Sequence, residues 1–355
     1  MQLSDDTFKQ LSHSIATMRF PLVLAILLLH AETATQFPPG TDHSGFFFPL
    51  YPLAIWIGDT GVPAYFFISG LLMFYSSKSY FEQIKSRFRT LFIPYVFWNG
   101  LLFLPHLVLW LCGFDIRIDN HSMSGYSPVD FLRVFWDRGS WHHGNSMPIL
   151  CPMWYIRNLM VMYLLSPLVY YAIRATHFLL PLVFLVFWVN DPTLAFTWQC
   201  LAMFSLGAFF AIIDINPLDF LRVYKLDIVL LFVVFGLADN VGHIGFPTFA
   251  WNLQLHRLSL VFNTFFVMWL GVYLYDRGVR FPYLSNAAFF VFCTHYPINI
   301  VVRKVMTHWP GWPDAVHVLL YFVSVAVVAV ACLMFYNLMS RYTPRLLQLA
   351  TGNRG

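Results

Sequence analysis

The chain has 355 residues, of which 59% are apolar and only 11% charged, with a formal net charge of +4. Soluble domains run at about 45–50% apolar and about 25% charged, so the composition excludes a water-soluble fold and points to the lipid bilayer as solvent. The 19% aromatic content, with 38 Phe and 12 Trp, suits lipid-facing surfaces and interfacial belts, and no nucleic-acid signature, internal repeat or low-complexity tract is present.

In chain order, the first apolar run covers residues 18–31, MRFPLVLAILLLHA, with Arg19 at one end and His30 near the other. Eleven residues make three helical turns, so the two side chains share a helix face and lie about 16 Å apart along the axis. A basic residue, a short apolar stretch and the small residues of HAETAT imitate a secretory leader. Asp5 and Asp6 ahead of the run, and the many hydrophobic segments behind it, favour a retained first membrane helix. Further runs bounded by polar, Pro or Gly breaks bring the expectation to about ten spans. They fall near 14–31, 58–77, 88–112, 153–173, 176–190, 197–214, 226–243, 257–275, 283–302 and 316–338. Segment 46–57, FFFPLYPLAIWI, is broken by Pro49 and Pro52 and reads as interfacial or as an extension of the second helix.

The placement of Lys and Arg sets the orientation. With the N-terminus inside, the inner segments hold Lys9, the Lys78–Arg89 cations, Arg174, Arg222, Lys225, Arg277, Arg280 and the tail arginines. The outer loops hold Glu32, Asp42, Asp59, Asp191 and Asp239, and only Arg303 and Lys304 break the bias. The expected architecture is all-α: one domain, residues 1–355, a polytopic transmembrane bundle with both termini cytoplasmic. Arg19 then lies at the cytoplasmic face and His30 towards the outer half. Of the five scattered cysteines, Cys112 and Cys151 fall on the outer side and form a candidate pair. No metal-ligand spacing is present; adjacent His142 and His143 lack further ligands, so no metal is expected.

Several residues invite a chemical reading. An ionisable side chain inside a membrane is costly and is a functional candidate by default, which singles out His30. Arg19 reads equally as a positive-inside anchor. In the second span, Pro63, Phe66, Phe67, Ser69 and Gly70 place a hydroxyl and a glycine in an apolar helix, where close helix packing is the plain alternative. Lys85, Arg87 and Arg89 run into Pro94-Tyr95: either a topology signal or an anion site, since guanidinium forks match phosphate oxygens. In the fourth span, Trp154 and Tyr155 read as an interfacial belt, while Arg157 needs a partner or a wet cavity. His295, in THYP, is a second imidazole within a hydrophobic run.

In this order the features resemble the acyltransferase 3 family of integral membrane acyltransferases. The resemblance rests on Arg-x10-His (Arg19, His30), the Phe-Phe-x-Ser-Gly helix, the Lys-x-Arg-x-Arg segment before Pro-Tyr, Trp-aromatic-x-Arg (Trp154, Tyr155, Arg157) and His-x-Pro (His295, Pro297). It covers most of the chain. One departure is that Ile15-Ala16-Thr17-Met18 precedes Arg19, where many members carry Asp.

The resemblance implies transfer of an acyl group, acetyl or succinyl, from cytoplasmic acyl-coenzyme A to a hydroxyl of an envelope saccharide or its lipid-linked precursor, in a bacterial cytoplasmic membrane. Acyl-coenzyme A is then a donor substrate, with no tightly bound cofactor. Arg19, Lys85, Arg87 and Arg89 would hold its phosphates, and His30 would act as general base or as acyl-carrying nucleophile. Ser69 and Arg157 would orient groups or stabilise the tetrahedral oxyanion. Acceptor contacts are expected from the outer segment 113–152, which carries Trp136, Asp137, Arg138, Trp141, His142 and His143, and from Trp154 and His295. A saccharide transporter or flippase would use the same polar residues but should show related halves with interrupted helices. A structural subunit of an envelope assembly complex is the third reading. The ordered motifs favour the enzyme.

Overall fold

The computed structural model describes residues 4–31, 47–118, 121–138, 147–193, 196–246, 248–306 and 314–353, and they form a helical bundle. In hydrocarbon every backbone polar group must be satisfied within its own segment, and the apolar runs accordingly become helices. The first three are α1 (Asp5–Ala31), α2 (Phe47–Asp59) and α3 (Gly61–Tyr75). Next come α4 (Tyr80–Arg87), a π-helical turn (Phe88–Phe92) and α5 (Ile93–Leu111). After a two-residue ladder, β1 (Arg117–Ile118) with β2 (His121–Ser122), come α6 (Pro128–Arg133), α7 (Trp154–Thr176) and α8 (Leu179–Asn190). Then follow α9 (Phe196–Ile212), α10 (Pro217–Val223), α11 (Lys225–Gly245) and α12 (Asn252–Asp276). The chain ends in α13 (Pro282–Met306), α14 (Asp314–Tyr342) and α15 (Pro344–Thr351).

Among the described residues, seven helices are long and apolar enough to cross a membrane, or eight if α9 and α10, bent by 102° at their junction, form one span. The expectation of about ten also counted 176–190 and 283–302. There α8 has 12 residues, about 18 Å at the helical rise against a hydrocarbon core of about 30 Å. The α13 helix is long but carries Ser285, Asn286, Thr294, His295 and Asn299. The end of α8 is closed from inside the protein: Arg257 donates to the carbonyl of Trp188 in its last turn and to those of Asp191 and Thr193 just beyond it, where a helix C-terminus leaves carbonyls short of partners. Segment 46–57 is the extension rather than the interfacial piece, because 52–75 runs as one apolar span through Thr60.

Four sequence expectations shift. Helix α1 begins at Asp5, not near 14, so Arg19 is its fifteenth residue and sits mid-helix. Asp59 and Asp239, assigned to outer loops, lie inside helices, and Asp239 is 2% exposed. Trp154 and Tyr155 are buried rather than interfacial, packed against Phe66. Cys112 and Cys151 form no disulfide; Cys151 Sγ turns to the Met147 sulfur, 2.9 Å away.

Helix α1 is central, packing on α2, α3, α12, α13 and α14. The tightest crossing joins α3 and α9. A Cβ on Gly70 would collide with the Phe204 carbonyl, and one on Gly207 with the Phe67 carbonyl. These reciprocal glycines let two backbones touch, the small-residue interface of membrane helices. Segment 113–152 builds its own small core from Ile118, Met123, Val134 and Ile149 over Phe103. It is tied to the bundle by Tyr95 Oη donating to the Phe135 carbonyl and by Leu150 N–H donating to Asn99 Oδ1 at 3.1 Å. At the other end α15 returns to α5, where Trp98 Nε1 donates to the Ala350 carbonyl at 2.9 Å. The left-handed Gly352 (φ 65°) then lies directly on Thr90.

Candidate active site

A cavity of about 410 Å³ opens between α1, α3, α7, α13 and the π-helical turn. Arg19, Ser69 and Arg87 all line it, so three sequence candidates from three separate helices meet in one space. Arg19 is held in position from below: the Tyr65 hydroxyl donates to its main-chain carbonyl at 2.6 Å. Arg87 lies over the Tyr163 ring, 4.6 Å from its centre, a cation–π contact. Its buried Nε has no hydrogen-bond partner, and neither has Thr90 Oγ1 beside it. Buried donors left unmade are costly, so the cavity offers two polar groups to a ligand.

Two arginines only two residues apart diverge because each helical residue turns by about 100°. The π-helical turn that begins between them is a feature frequent at functional sites. Arg87 enters the cavity, while Arg89 joins Lys78, Lys85, Ser86 and Asn353 around a second, shallower opening of about 350 Å³. Thr90 borders both spaces. A basic mouth therefore adjoins an enclosed, mostly apolar chamber containing two guanidinium groups. Anionic oxygens suit the first and a thin uncharged chain suits the second.

At the opposite side of the chamber Phe292 lines the wall, and its carbonyl accepts a hydrogen bond from His295 Nδ1 at 2.7 Å. A carbonyl only accepts, so Nδ1 carries the proton, and in the neutral ring the lone pair is on Nε2. That atom is buried without a hydrogen-bond partner. The His295 ring lies 5.2 Å from that of His30, and Tyr296 stands edge-on to His30 at 5.4 Å. Asn299 Nδ2 donates to the His30 carbonyl at 2.8 Å, locking the last turn of α1 to α13. The sequence marked both imidazoles; only the packing of α1 on α13 makes them a pair.

The remaining candidates fall elsewhere. Arg157 is 6% exposed and donates to the Trp136 carbonyl and to Asn158 Oδ1, with its guanidinium over the Trp136 ring at 5.1 Å. It fastens segment 113–152 to α7 and does not line the chamber. Trp154 is core. Trp141, His142 and His143 lie outside the described residues.

Sequence reasoning missed two features. The first is Tyr163 with Asn286, which line the chamber beside Tyr155, a residue the sequence marked only as interfacial and as part of a motif. The second is a polar cluster between α2, α11 and α12. There His256 Nε2 is 3.1 Å from Asp59 Oδ2, and its Nδ1 is 2.9 Å from Asp239 Oδ2. Ser259 and Trp56 complete it, through Ser259 Oγ to Asp239 Oδ2 at 3.2 Å and Trp56 Nε1 to Ser259 Oγ at 3.0 Å. The cost of ionisable groups in apolar runs was the available signal, and assigning both aspartates to loops hid it.

With this geometry in place, the chain was compared with known proteins. A family model described as an acyltransferase domain matches residues 12–334. The succinoglycan biosynthesis protein ExoH of Rhizobium meliloti (strain 1021) is 23% identical over 357 residues, covering 97% of this chain and 92% of that protein. No solved structure matches.

Proposed function

The chain belongs to the acyltransferase family, and we propose that it moves an acyl group, acetyl or succinyl, from cytoplasmic acyl-coenzyme A to a hydroxyl of an exported or envelope saccharide or its lipid-linked precursor. It is a membrane enzyme whose apolar helices make it a multi-pass integral protein. In the arrangement proposed here about ten helices are set in a bacterial cytoplasmic membrane, the short α8 and the polar α13 among them, with both termini and the basic mouth on the cytoplasmic side. The saccharide acceptor draws on the printed role of the relative in succinoglycan biosynthesis.

One observation carries this reading. A single chamber containing Arg19, Ser69 and Arg87 adjoins the basic mouth at Thr90 and the His30–His295 pair at Phe292. Lys78, Lys85 and Arg89 would meet the coenzyme A phosphates at the mouth. Arg87 and Arg19 would guide the pantetheine arm through the chamber. At the histidine pair the acceptor oxygen forms a bond to the acyl carbon and the carbon–sulfur bond breaks. His30 takes the acceptor's hydroxyl proton and returns it to the departing thiolate. General base catalysis of this kind contributes about 10²–10⁴-fold. An acyl-imidazole at His30 is the alternative path between the same reactants and products. Ser69 lines the chamber with Arg19 and Arg87 and would orient the donor there, and Arg157 would act by orienting segment 113–152 over the acceptor.

The test is mass spectrometry of envelope glycans from cells with and without the protein and from cells carrying His30→Ala. Loss of an acyl ester at unchanged membrane levels of the variant is the expected result. Undiminished acylation in His30→Ala would overturn the catalytic assignment.

A further inference from the structure

The function proposed for His30 leaves the polar cluster between α2, α11 and α12 without a task, and its charge balance is incomplete. His256 lies between two carboxylates, and a ring bonded in this way donates from both nitrogens. One imidazolium against Asp59 and Asp239 leaves one negative charge over. His243 Nδ1 lies 3.0 Å from Asp239 Oδ1 and hydrogen-bonds the main-chain carbonyl of Asp239, also at 3.0 Å, so that a charge on His243 is set against Asp239 and not against Asp59. Asp239 is sealed at 2% exposure, whereas Asp59 is 33% exposed and uses one oxygen for His256. The surplus charge is therefore available at Asp59.

Asp59 adjoins the catalytic histidine. Gly58, its neighbour, presses on Leu29, the neighbour of His30: a Cβ on Gly58 would lie 2.8 Å from Leu29 Cβ and 3.0 Å from Leu29 Cα. The last turns of α1 and α2 thus touch backbone to backbone, one residue before His30 and one residue before Asp59. Among the described residues, the other titratable groups at this turn are His295 and Tyr296 on α13 and Tyr321 on α14, whose hydroxyl donates to the Leu28 carbonyl at 2.6 Å, and Asp59 is the carboxylate of the group.

We propose that Asp59, gripped by His256 and backed by Asp239, is the positioning carboxylate for His30. It balances the positive charge that the imidazole acquires when it takes the acceptor's hydroxyl proton. The surplus charge of the resting cluster is cancelled at the moment that proton moves, which is differential stabilisation of the transition state. The inference rests on the reading of His30 as base.

The experiment uses the full chain in membrane vesicles that contain the cell's own saccharide acceptors, with acetyl- or succinyl-coenzyme A supplied and free thiol release followed. Asp59→Asn is expected to lower kcat by about 10²-fold or more, by analogy with a carboxylate behind a catalytic histidine, with the donor KM unchanged. Asp59→Glu should recover part of the loss. Asp239→Asn, acting one step removed through His256, should lower kcat less and again spare KM. In Asp59→Ala, added formate should restore turnover, which a purely structural carboxylate would not allow. Wild-type kcat in Asp59→Asn beside an inactive His30→Ala overturns this inference alone. Full turnover in His30→Ala overturns the reading of His30 beneath it. Should Asp59→Asn not accumulate, an Asp239→Asn protein with unchanged kcat overturns the inference.

Discussion

The His295 ring is fixed by a 2.7 Å hydrogen bond from its Nδ1 to the Phe292 carbonyl, and it packs 5.2 Å from the ring of His30. The bond selects the tautomer and leaves Nε2 as a buried, unpartnered lone pair. Two imidazoles from opposite ends of the chain thereby meet beside Phe292, which lines the chamber that holds Arg19 and Arg87. Replacing His295 by Ala should reduce acyl transfer at least tenfold while leaving the protein's membrane level intact, measured as acyl ester per saccharide by mass spectrometry. His295→Gln, which can still donate to the Phe292 carbonyl, should remain defective because it lacks the ring and the Nε2 lone pair that His295 sets beside His30.

The two arginines at the start of the π-helical turn should separate in their salt dependence. Arg89 is exposed at the mouth, so Arg89→Ala should raise the donor KM only about three- to tenfold. The effect should shrink as ionic strength rises and screening takes over. Arg87 is half-buried within the chamber, and Arg87→Ala should cost more, with little sensitivity to salt. Donor kinetics at low and high salt distinguish the two.

Gly207 and Gly70 are positions where any side chain meets a main-chain carbonyl across the α3–α9 crossing. Gly207→Ala should destabilise the bundle by about 1–3 kcal/mol, the usual cost of overpacking. The expected readout is a lower thermal midpoint in detergent and a smaller monodisperse fraction. Gly100, with nothing within 4 Å of a Cβ, is the control and should accept Ala with no loss.

Arg157 is spent on the Trp136 carbonyl and ring, so its removal should act on segment 113–152 first. Arg157→Ala leaves a buried carbonyl without its charged donor, a loss of about 1.5–3 kcal/mol. Limited proteolysis should then cut within 113–152 faster than in the parent, and acceptor use should fall further than donor binding.

Much of this enzyme was legible from composition and spacing. A chain so apolar and so poor in charge must satisfy its backbone in helices within lipid, and the hydrophobic runs located most of them. The Arg19–His30 interval, the Lys85–Arg89 cations and the late His295 were visible because charged and imidazole groups stand out against an apolar background. Helix ends were less legible. The start of α1 at Asp5, the shortness of α8 and the continuity of 52–75 depend on caps and neighbours such as the Arg257 clamp.

The sequence by itself determined which residues were too costly to be in a membrane without purpose. Tertiary structure decided which of them act together. Arg19, Ser69 and Arg87 meet in one chamber, His30 meets His295, and Arg157 goes to a loop rather than to the chamber. Asp59 and Asp239, read as loop charges, turn inward onto His256 beside the last turn of α1. Spacing along a chain specifies the face of a helix, because 3.6 residues per turn is a local property. Which face meets which depends on where backbones can approach, as at Gly58 on Leu29 or Gly70 on Phe204, and that is a property of pairs of helices far apart in sequence.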